Sequence, residues 1–419
     1  MQPLRGTKDI LPYETIYWQH IYMKASAILS LHNYSEIRTP IIESTELFKR
    51  SIGEMTDIIN KEMYTFADQS NRSITLRPEG TAGIARAFIS NKLYQNSLQK
   101  LWYFGPMFRY ERPQSGRQRQ FHQLGIECIG SLNPMADVEV IHLANKILHE
   151  LKLYDYILEI NSIGNLEERQ IYKTDLIEYL SKYKKDLDED SQKRLYSNPL
   201  RILDSKHLKT QEIVQYAPNL NKYLNKTSIE HFNLVCTYLN NLQINYKINY
   251  NLVRGLDYYN NTAFEIKTIS QNSQNTICGG GRYDTLIEQL GGPKTPAIGW
   301  AIGLERLLKS IDQKWQLNQK KKYIYIATQG LEAKKQVWNI IKNLENENIK
   351  FELDLSNSNF QKQIQKASKI GAKFCMIIGE EEINNKKITI RILDQHKQYS
   401  IAYSHIKEEI HKLKDILSS

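Results

Sequence analysis

The spacing of apolar residues predicts a helix near the start of the chain and a β-hairpin further along. Apolar side chains from Trp18 to Leu29 recur every three or four positions, the period of one helix face, so residues 14–32 are predicted to be helical. Residues 101–110 and 121–130 are aromatic and β-branched runs. A polar, arginine-rich loop separates them, and two such runs around a loop are typical of a hairpin.

Two shorter segments combine strand-like residues with a proline or a helix start. EIRTPIIES, residues 36–44, is predicted to be one strand with Pro40 inside it. Proline has no N–H to donate, so this strand is expected at a sheet edge or an interface. TLRPEGTA, residues 75–82, is predicted to end a strand and begin a helix. Glu79 would then lie at the helix start.

The middle of the chain is predicted to be helical before strands return. Residues 134–153 are predicted to be a helix, and residues 164–240 are helical in pattern, highly charged and free of any chemical motif. We interpret 164–240 as an inserted helical module. Strand character resumes at 245–268, and CGGGRYDTLIEQLGG follows as a predicted glycine turn that opens a helix. GWAIGLERLL, residues 299–308, is predicted to be a strand that leads into a helix.

The C-terminal part of the chain has a different pattern. Short strands are predicted at 323–328, 351–355, 374–379 and 387–393. Helical stretches separate the first three strands, and this alternation indicates a small α/β domain. The polar, lysine-rich stretch 312–322 precedes it. We therefore divide the chain into a first domain of residues 1–315, a linker of 316–322 and a C-terminal domain of 323–419.

The composition narrows the class of protein. Lys and Arg number 56 and Asp and Glu 46, which gives a net charge of +10. Such an excess indicates either a nucleic-acid partner or a solvated lysine surface, and both remain open. No apolar run is long enough to cross a bilayer, which excludes an integral membrane protein. The start of the chain has no signal core, so the protein is not expected to be secreted. Its four cysteines form no CxxC pair, which argues against zinc knuckles and a disulfide framework.

The densest group of candidate functional residues lies in FRYERPQSGRQRQFHQLGIEC, residues 108–128. It holds four arginines and two glutamates. Arg109 and Glu111 are two apart on the predicted strand, so both are expected to face one cleft. An arginine fork suits phosphate oxygens, and Phe121 could stack on a base. The alternative is a surface hairpin whose arginines form salt bridges of little energetic value.

Three further motifs hold candidate residues, and two of them have a plain structural alternative. Glu79 could hold a substrate ammonium or merely supply favourable charge at a helix start. LVRGLDYY, residues 252–259, places Arg254 on a predicted strand. GGGRYD, residues 279–284, is neither a P-loop nor a dinucleotide fingerprint, and a tight turn with close backbone packing would explain it.

Taken in order, these motifs resemble the histidyl-tRNA synthetase family of class II aminoacyl-tRNA synthetases. RGTKDILP resembles the family's N-terminus, RTPIIES motif 1 with its dimer-interface proline, FRYERPQSGRQRQFHQ motif 2, and GLERLL motif 3. LVRGLDYY and GGGRYD resemble the two histidine-specific motifs. The resemblance implies an α+β catalytic domain built on an antiparallel sheet, a helical insertion at about 164–240, and a C-terminal α/β anticodon-binding domain.

The resemblance implies an ATP site built on arginines. Arg109 and Arg254 are implied to be the catalytic pair, contacting the α-phosphate from two sides, with Arg254 partly replacing a metal ion. Phe121 and Arg306 are implied on opposite faces of adenine, with Glu111 near the base. ATP is expected to enter with Mg²⁺ as its substrate complex. No metal site made of protein ligands alone, no zinc and no organic cofactor is implied.

The resemblance also implies sites for histidine and for the tRNA acceptor end. The residues implied for histidine are Glu79, Gly80, Thr81, Gln123, Glu127, Tyr258, Tyr259 and Tyr283. Among them Glu79, Thr81, Gln123 and Tyr283 are implied at the ammonium. Glu127 and Tyr259 are implied at the imidazole. The residues implied for the tRNA acceptor end are Arg112, Arg117 and Gln118.

The function implied is the ATP-dependent ligation of L-histidine to tRNA(His) through histidyl-adenylate, with release of AMP and diphosphate. The implied partners are tRNA(His), histidine, ATP and a second copy of the chain, without a membrane. The expected compartment is a bacterial-type cytoplasm, or a plastid stroma if the chain is made there. One alternative is the family's inert paralogue, a regulatory subunit of ATP phosphoribosyltransferase, which usually lacks the C-terminal module and the reactive arginines. Another is a noncatalytic tRNA-binding module.

Overall fold

The structure is a computed structural model that describes residues 1–53, 56–96, 98–114, 116–269, 276–311 and 323–418. The chain divides into two compact units, Met1–Trp315 and Gln316–Ser419. The predicted linker, 316–322, lies outside the described residues. No described helix combines the length and the apolar character needed to cross a membrane.

The first unit contains ten α-helices among its described residues. They are α1 (Pro12–Leu31), α2 (Thr45–Ile52), α3 (Thr81–Ser90), α4 (Pro134–Glu150), α5 (Leu166–Ser181), α6 (Glu189–Arg194), α7 (Leu208–Gln215), α8 (Lys226–Asn241), α9 (Leu286–Gln289) and α10 (Leu304–Ile311). Shorter 3₁₀ or π turns occupy Ile58–Glu62, Leu93–Gln95, Lys184–Asp186, Pro199–Asp204 and Leu220–Tyr223.

Eleven described strands form two sheets in this unit. They are β1 (Ser35–Glu36), β2 (Ile42–Ser44), β3 (Tyr64–Ala67), β4 (Ser73–Leu76), β5 (Gln99–Phe108), β6 (Gln120–Ile129), β7 (Tyr156–Ser162), β8 (Lys247–Ile248), β9 (Asn260–Thr268), β10 (Thr276–Arg282) and β11 (Ala297–Gly303). The large sheet has the order β1-β5-β6-β11-β10-β9-β7-β8, and β2-β4-β3 form a small one. Only the short edge strands β1 and β8 pair in parallel, so the predicted antiparallel sheet of the first domain is confirmed.

The predicted hairpin is confirmed, whereas the predicted glycine turn is wrong. β5 and β6 pair antiparallel from Gln99 opposite Ile129 to Phe108 opposite Gln120. The three consecutive glycines of the GGGRYD motif lie inside β10, a central strand. A Cβ on Gly280 would lie 2.4 Å from the carbonyl oxygen of Gly299 on β11, so the glycine is required by the close approach of two strands.

The prediction of one strand over 36–44 is also wrong, although its edge position is confirmed. Residues 37–41 separate β1 from β2, and Pro40 lies in that gap. Because proline cannot donate to a ladder, the segment changes sheets there. β1 is an edge strand of the large sheet and β2 an edge strand of the small one.

The segment 164–240 is helical as predicted and packs against the rest of the first unit. Its helices are α5 to α7 and nearly all of α8. Glu168 joins the starts of α5 and α8, because its carboxylate accepts hydrogen bonds from the N–H groups of Asn165 (2.7 Å) and Asn225 (2.6 Å). Buried Tyr172 belongs to the same apolar cluster as Tyr283, which follows β10 of the large sheet. These helices therefore share an apolar core with the large sheet.

The second unit has its own sheet and core. Its helices are α11 (Leu331–Asn346), α12 (Phe360–Lys369), α13 (Glu380–Asn384) and α14 (Ile406–Ser418), and its strands are β12 (Ile324–Thr328), β13 (Phe351–Leu353), β14 (Phe374–Ile378), β15 (Lys387–Ile392) and β16 (Lys397–Ala402). The order is β13-β12-β14-β15-β16, with the first three parallel and the last two antiparallel. The predicted α/β fold is confirmed. The mostly exposed β16 was not predicted, because its polar residues give no strong strand pattern.

Candidate active site

A cavity of about 310 Å³ opens in the first unit between the β5–β6 loop, the loop before β9 and the start of α10. Twelve of the predicted site residues line it: Glu79, Thr81, Arg109, Glu111, Arg117, Gln118, Phe121, Gln123, Arg254, Tyr258, Tyr259 and Arg306. Gly80, Glu127 and Tyr283 do not reach its surface. Arg112 borders a separate pocket with Arg5 and Arg119.

Arg109 lies just after the end of β5, so its predicted position on the strand is wrong. The prediction that Arg109 and Glu111 face one cleft is confirmed, because both line the cavity. Nε of Arg109 donates to the carbonyl oxygen of Pro78 at 2.9 Å. Its guanidinium lies 5.2 Å from the centroid of the Phe121 ring. Glu111, buried, forms an ion pair with Arg117 and lies 3.8 Å from Nη1 of Arg109. The two arginines are therefore positioned by a carbonyl, an aromatic face and a shared carboxylate.

Arg254 lies in the loop between β8 and β9 and not on the predicted strand. It is only 15% exposed and forms a salt bridge with Glu265 on β9. A Cβ on Gly279 would lie 2.3 Å from Nη2 of Arg254, so the first glycine of the GGGRYD motif makes room for the guanidinium. Burial lowers the pKa of Arg254, but the Glu265 carboxylate, with smaller contributions from Tyr259, Tyr258 and Cys278, leaves the pKa raised overall. Arg254 is thus a permanently charged, fixed cation in the cavity wall.

Arg306 lies in the first turn of α10 and connects two parts of the wall. Nε donates to the carbonyl oxygen of Gly116 (3.1 Å), and Nη1 donates to that of Thr276 (2.9 Å). Burial lowers its pKa, and the nearby Arg117 acts in the same direction. Four guanidiniums therefore line the cavity, those of Arg109, Arg117, Arg254 and Arg306, and they suit an anionic ligand.

Glu79 lies at the start of α3, as the structural alternative in the sequence analysis expected. Its side chain also lines the cavity. Its carboxylate accepts the N–H groups of Thr81 and Ala82, both at 2.7 Å. Burial raises the pKa of Glu79, and those two hydrogen bonds oppose the rise.

Glu127 is a buried carboxyl directly behind the cavity wall. Thr81 Oγ1 donates to one oxygen at 2.7 Å, and the Tyr283 hydroxyl donates to the other at 2.5 Å. Burial raises the pKa of Glu127 to about 8, against these two hydrogen bonds. The ring of Tyr258 contacts both Tyr259 and Tyr283, with centroids 4.7 and 5.7 Å away. Three tyrosines and two carboxyls thus form one end of the site.

The buried polar atoms of the wall that lack a hydrogen-bond partner among the described residues include Oε1 of Gln123, an acceptor, and Nε of Arg254, a donor. Since buried polar groups are nearly always paired, these two atoms fit a polar ligand in the cavity. The cavity thus has a cationic end at Arg109, Arg254 and Arg306 and a tyrosine–carboxyl end at Glu127.

Two carboxylates with clear structural roles were not predicted. Glu265 holds Arg254, and Glu305 accepts hydrogen bonds from the N–H (3.0 Å) and Nδ1 (2.9 Å) of His122. The only signal for Glu265 was a charged residue in the otherwise apolar run AFEI. For Glu305 there was no signal beyond its place in the predicted strand–helix segment 299–308.

Two family models match the chain. Histidyl-tRNA synthetase matches residues 6–307, and an anticodon-binding domain matches residues 322–413. The chain is 74% identical to the chloroplastic histidine–tRNA ligase of Gracilaria tenuistipitata var. liui over 413 residues, which covers 99% of this chain and 98% of that protein. It is 58% identical to the chloroplastic histidine–tRNA ligase of Pyropia yezoensis over 415 residues, covering 99% and 96%.

Among solved structures, the crystal structure of apo S. aureus histidyl-tRNA synthetase is similar over the whole chain. It shares 36% identity and a TM-score of 0.81, and the match covers 99% of this chain and 100% of that one. Both units of the present chain are therefore included in the similarity.

Proposed function

Because the chain belongs to the histidyl-tRNA synthetase family, we propose that the cavity of its first unit is where histidine and ATP form histidyl-adenylate. The family's reaction is the ATP-dependent ligation of L-histidine to tRNA(His), and this chain catalyses it. The inert regulatory paralogue is not supported, because residues 322–413 match an anticodon-binding domain and Arg109, Arg254 and Arg306 all line the cavity.

The observation that carries the proposal is the convergence of Arg109 and Arg254 on one cavity from two separate loops. When the histidine carboxylate attacks the α-phosphate of ATP, negative charge builds on the phosphoryl oxygens, and the diphosphate leaves. Cations that are already in place stabilise that charge without reorganising. Glu265 fixes Arg254 and the Pro78 carbonyl fixes Arg109. We place the α-phosphate between these two guanidiniums.

The adenine is proposed to stack between Phe121 and Arg306. The Arg109 guanidinium already lies over the Phe121 ring, so the base would use the remaining face. Mg²⁺ is proposed to arrive with the ATP phosphates. The two wall carboxylates nearest to these arginines, Glu111 and Glu265, are already in ion pairs, which supports a cation held mainly by the nucleotide.

Histidine is proposed to lie at the tyrosine–carboxyl end. Glu79, Thr81 and Gln123 would hold its ammonium, and the unpartnered Oε1 of Gln123 would accept one of its protons. Glu127 and Tyr259 would pair with the imidazole. The hydrogen bond from Tyr283 to Glu127 supports an imidazole-side role for Tyr283 in place of the ammonium role first implied. A residue without a second polar edge would leave these buried groups unpaired and be rejected.

The remaining proposals concern the tRNA, the second copy of the chain and the cellular compartment. Arg117 and Gln118, on the cavity wall, would meet the tRNA acceptor end, and Arg112 would do so from its neighbouring pocket. Exposed Ile41 and Ile42, next to Pro40, support a homodimer interface on the small sheet. The two chloroplastic relatives support a plastid compartment.

Replacement of Arg254 tests the proposed site. Arg254→Ala should lower kcat of histidine-dependent exchange between diphosphate and ATP by about 10²- to 10³-fold, the usual effect of removing a transition-state donor. Folding should be little affected, because Glu265 keeps Lys267 at 3.4 Å and Thr276 at 3.3 Å. Exposed Arg72, paired with Asp68, provides the matched control Arg72→Ala. Near-normal turnover of Arg254→Ala would remove Arg254 from the mechanism.

A further inference from the structure

Asp284, the last residue of the GGGRYD motif, links the ends of three strands. Its Oδ1 accepts hydrogen bonds from Nη1 of Arg282 (3.1 Å) and from the N–H of Ala297 (3.2 Å). Its Oδ2 accepts one from Nδ2 of Asn260 at 2.8 Å and a longer one from Nδ2 of Asn261 at 3.4 Å. In return, the N–H of Asp284 donates to Oδ1 of Asn260, also at 2.8 Å. Asp284 and Asn260 thus form a reciprocal pair that joins the end of β10 to the start of β9, and Ala297 adds the start of β11.

This pair stands where the ladder between β9 and β10 becomes irregular. The register shifts between Gly281 and Arg282, where Arg282 pairs with Asn260. Since a register irregularity disrupts the regular backbone hydrogen bonds, the relative position of the two strand ends depends on other contacts. The side chains of Asn260 and Asp284 supply two of them.

The residues that this pair places are the tyrosines of the proposed histidine site. Tyr259 precedes Asn260 in the chain, and Tyr283 precedes Asp284. Tyr259 lines the cavity beneath the Arg254 guanidinium, and Tyr283 holds Glu127. A shift of either strand end would therefore move the groups proposed to meet the imidazole.

We propose that Asp284 is a positioning residue for histidine binding, acting through its reciprocal pair with Asn260. This inference rests on the proposed function, because it assumes that histidine lies against Tyr259 and Glu127. Asp284 is not the sole carboxylate that balances the Arg282 charge, since buried Asp137 also pairs with that arginine. The shortest hydrogen bond that the Asp284 carboxylate accepts is the one from Asn260.

The hydrogen-bond pattern makes the pair suitable for a reciprocal exchange. In Asp284→Asn, the new amide group faces the amide of Asn260, so two donors oppose each other. In Asn260→Asp, two carboxylates oppose each other. In the double variant, the new amide at position 284 can donate to the new carboxylate at position 260, while the amide oxygen still accepts from Arg282 and Ala297. The new carboxylate can also accept the N–H of residue 284. The hydrogen bonds between positions 260 and 284 are restored with donor and acceptor exchanged, and only the long contact from Asn261 is lost.

Steady-state exchange between diphosphate and ATP provides the test, with histidine and ATP varied separately. Each single variant should raise KM for histidine by about tenfold to about a hundredfold, in the range of a small misplacement at an active site. KM for ATP should stay within about twofold, because the substitutions are expected to weaken the binding of histidine and not the binding of ATP. The double variant should return KM for histidine to within about threefold of the unmodified chain, as expected for directly coupled residues.

Asp188→Asn is the matched control. Asp188 accepts hydrogen bonds from Ser191, Ser205 and Thr210 in the inserted module and lies away from the cavity. It should lower Tm and leave KM for histidine unchanged. The proposal is overturned if the single variants keep KM for histidine, raise both KM values equally or fail to fold, or if the double variant does not recover. Absence of exchange in the unmodified chain would instead reject the proposed function.

Discussion

The Tyr283 hydroxyl donates a 2.5 Å hydrogen bond to the carboxyl of Glu127, whose other oxygen accepts one from Thr81 at 2.7 Å. One donor follows the end of β10 and the other begins α3, so two distant parts of the chain hold one buried carboxyl. Burial raises its pKa to about 8, and the nearby Glu79 contributes in the same direction. In the unliganded protein this group is therefore mainly protonated at neutral pH.

The stability of the Glu127→Gln variant, relative to that of the unmodified chain, should increase as pH rises. From the ordinary pKa of 4.5 to the folded value of about 8, the unfolded chain loses a proton that the folded chain keeps. The free energy of unfolding of the unmodified protein therefore falls across this range, by at most about 1.4 kcal/mol per pH unit from this group. Glutamine does not ionise. The Tm of the Glu127→Gln variant, measured without ligands and relative to the unmodified chain, should therefore rise between pH 5.5 and 8.5.

Exposed Glu332 provides the control for this pH dependence. Its side chain is 62% exposed, so Glu332→Gln should show a Tm difference that hardly changes with pH. A constant difference for Glu127→Gln over the same range would show that Glu127 ionises normally in the folded protein.

The sequence predicted the elements whose signals are local. The β5–β6 hairpin, the helix start after Glu79 and the strand–helix junction before Arg306 all follow from neighbouring residues. The glycines of β10 were misassigned because glycine usually marks a turn, and only the neighbouring strand β11 explains why they lie in a sheet.

The same distinction between local and distant signals applies to the candidate site. The resemblance supplied twelve residues that the fold brings to one cavity. It supplied neither the partner of Arg254, which is Glu265 on a neighbouring strand, nor the pair of Asn260 with Asp284. Such partners are set by strand pairing and register, which the pattern of a single sequence does not specify closely.

Ile42→Glu should convert the proposed dimer to a monomer. Ile42 is 50% exposed on the edge strand β2, and Ile41 beside it is 41% exposed. A charge buried between two apolar edges would be strongly unfavourable. Sedimentation velocity should show a dimer for the unmodified chain and a monomer for the variant. Leu355→Glu, at an 85% exposed position of the second unit, should leave the dimer intact. A monomeric unmodified chain would contradict the interface.

Removal of residues 323–419 should separate the two steps of the reaction. All cavity residues lie in the first unit, which has its own apolar core, so exchange should remain. Charging of tRNA should fall by at least about a hundredfold, because the unit matched to an anticodon-binding domain is lost. Circular dichroism checks that the fragment is folded. Equal losses in exchange and charging by a folded fragment would contradict an anticodon-reading role.

The central claim is that this cavity activates histidine with ATP, and histidine-dependent exchange of labelled diphosphate into ATP tests it most directly. The purified chain should support exchange when histidine and Mg²⁺–ATP are present. It should show none when histidine is omitted or replaced by phenylalanine, whose ring cannot pair with Glu127 and Tyr259. Absence of exchange with histidine, or equal exchange with phenylalanine, would contradict the account.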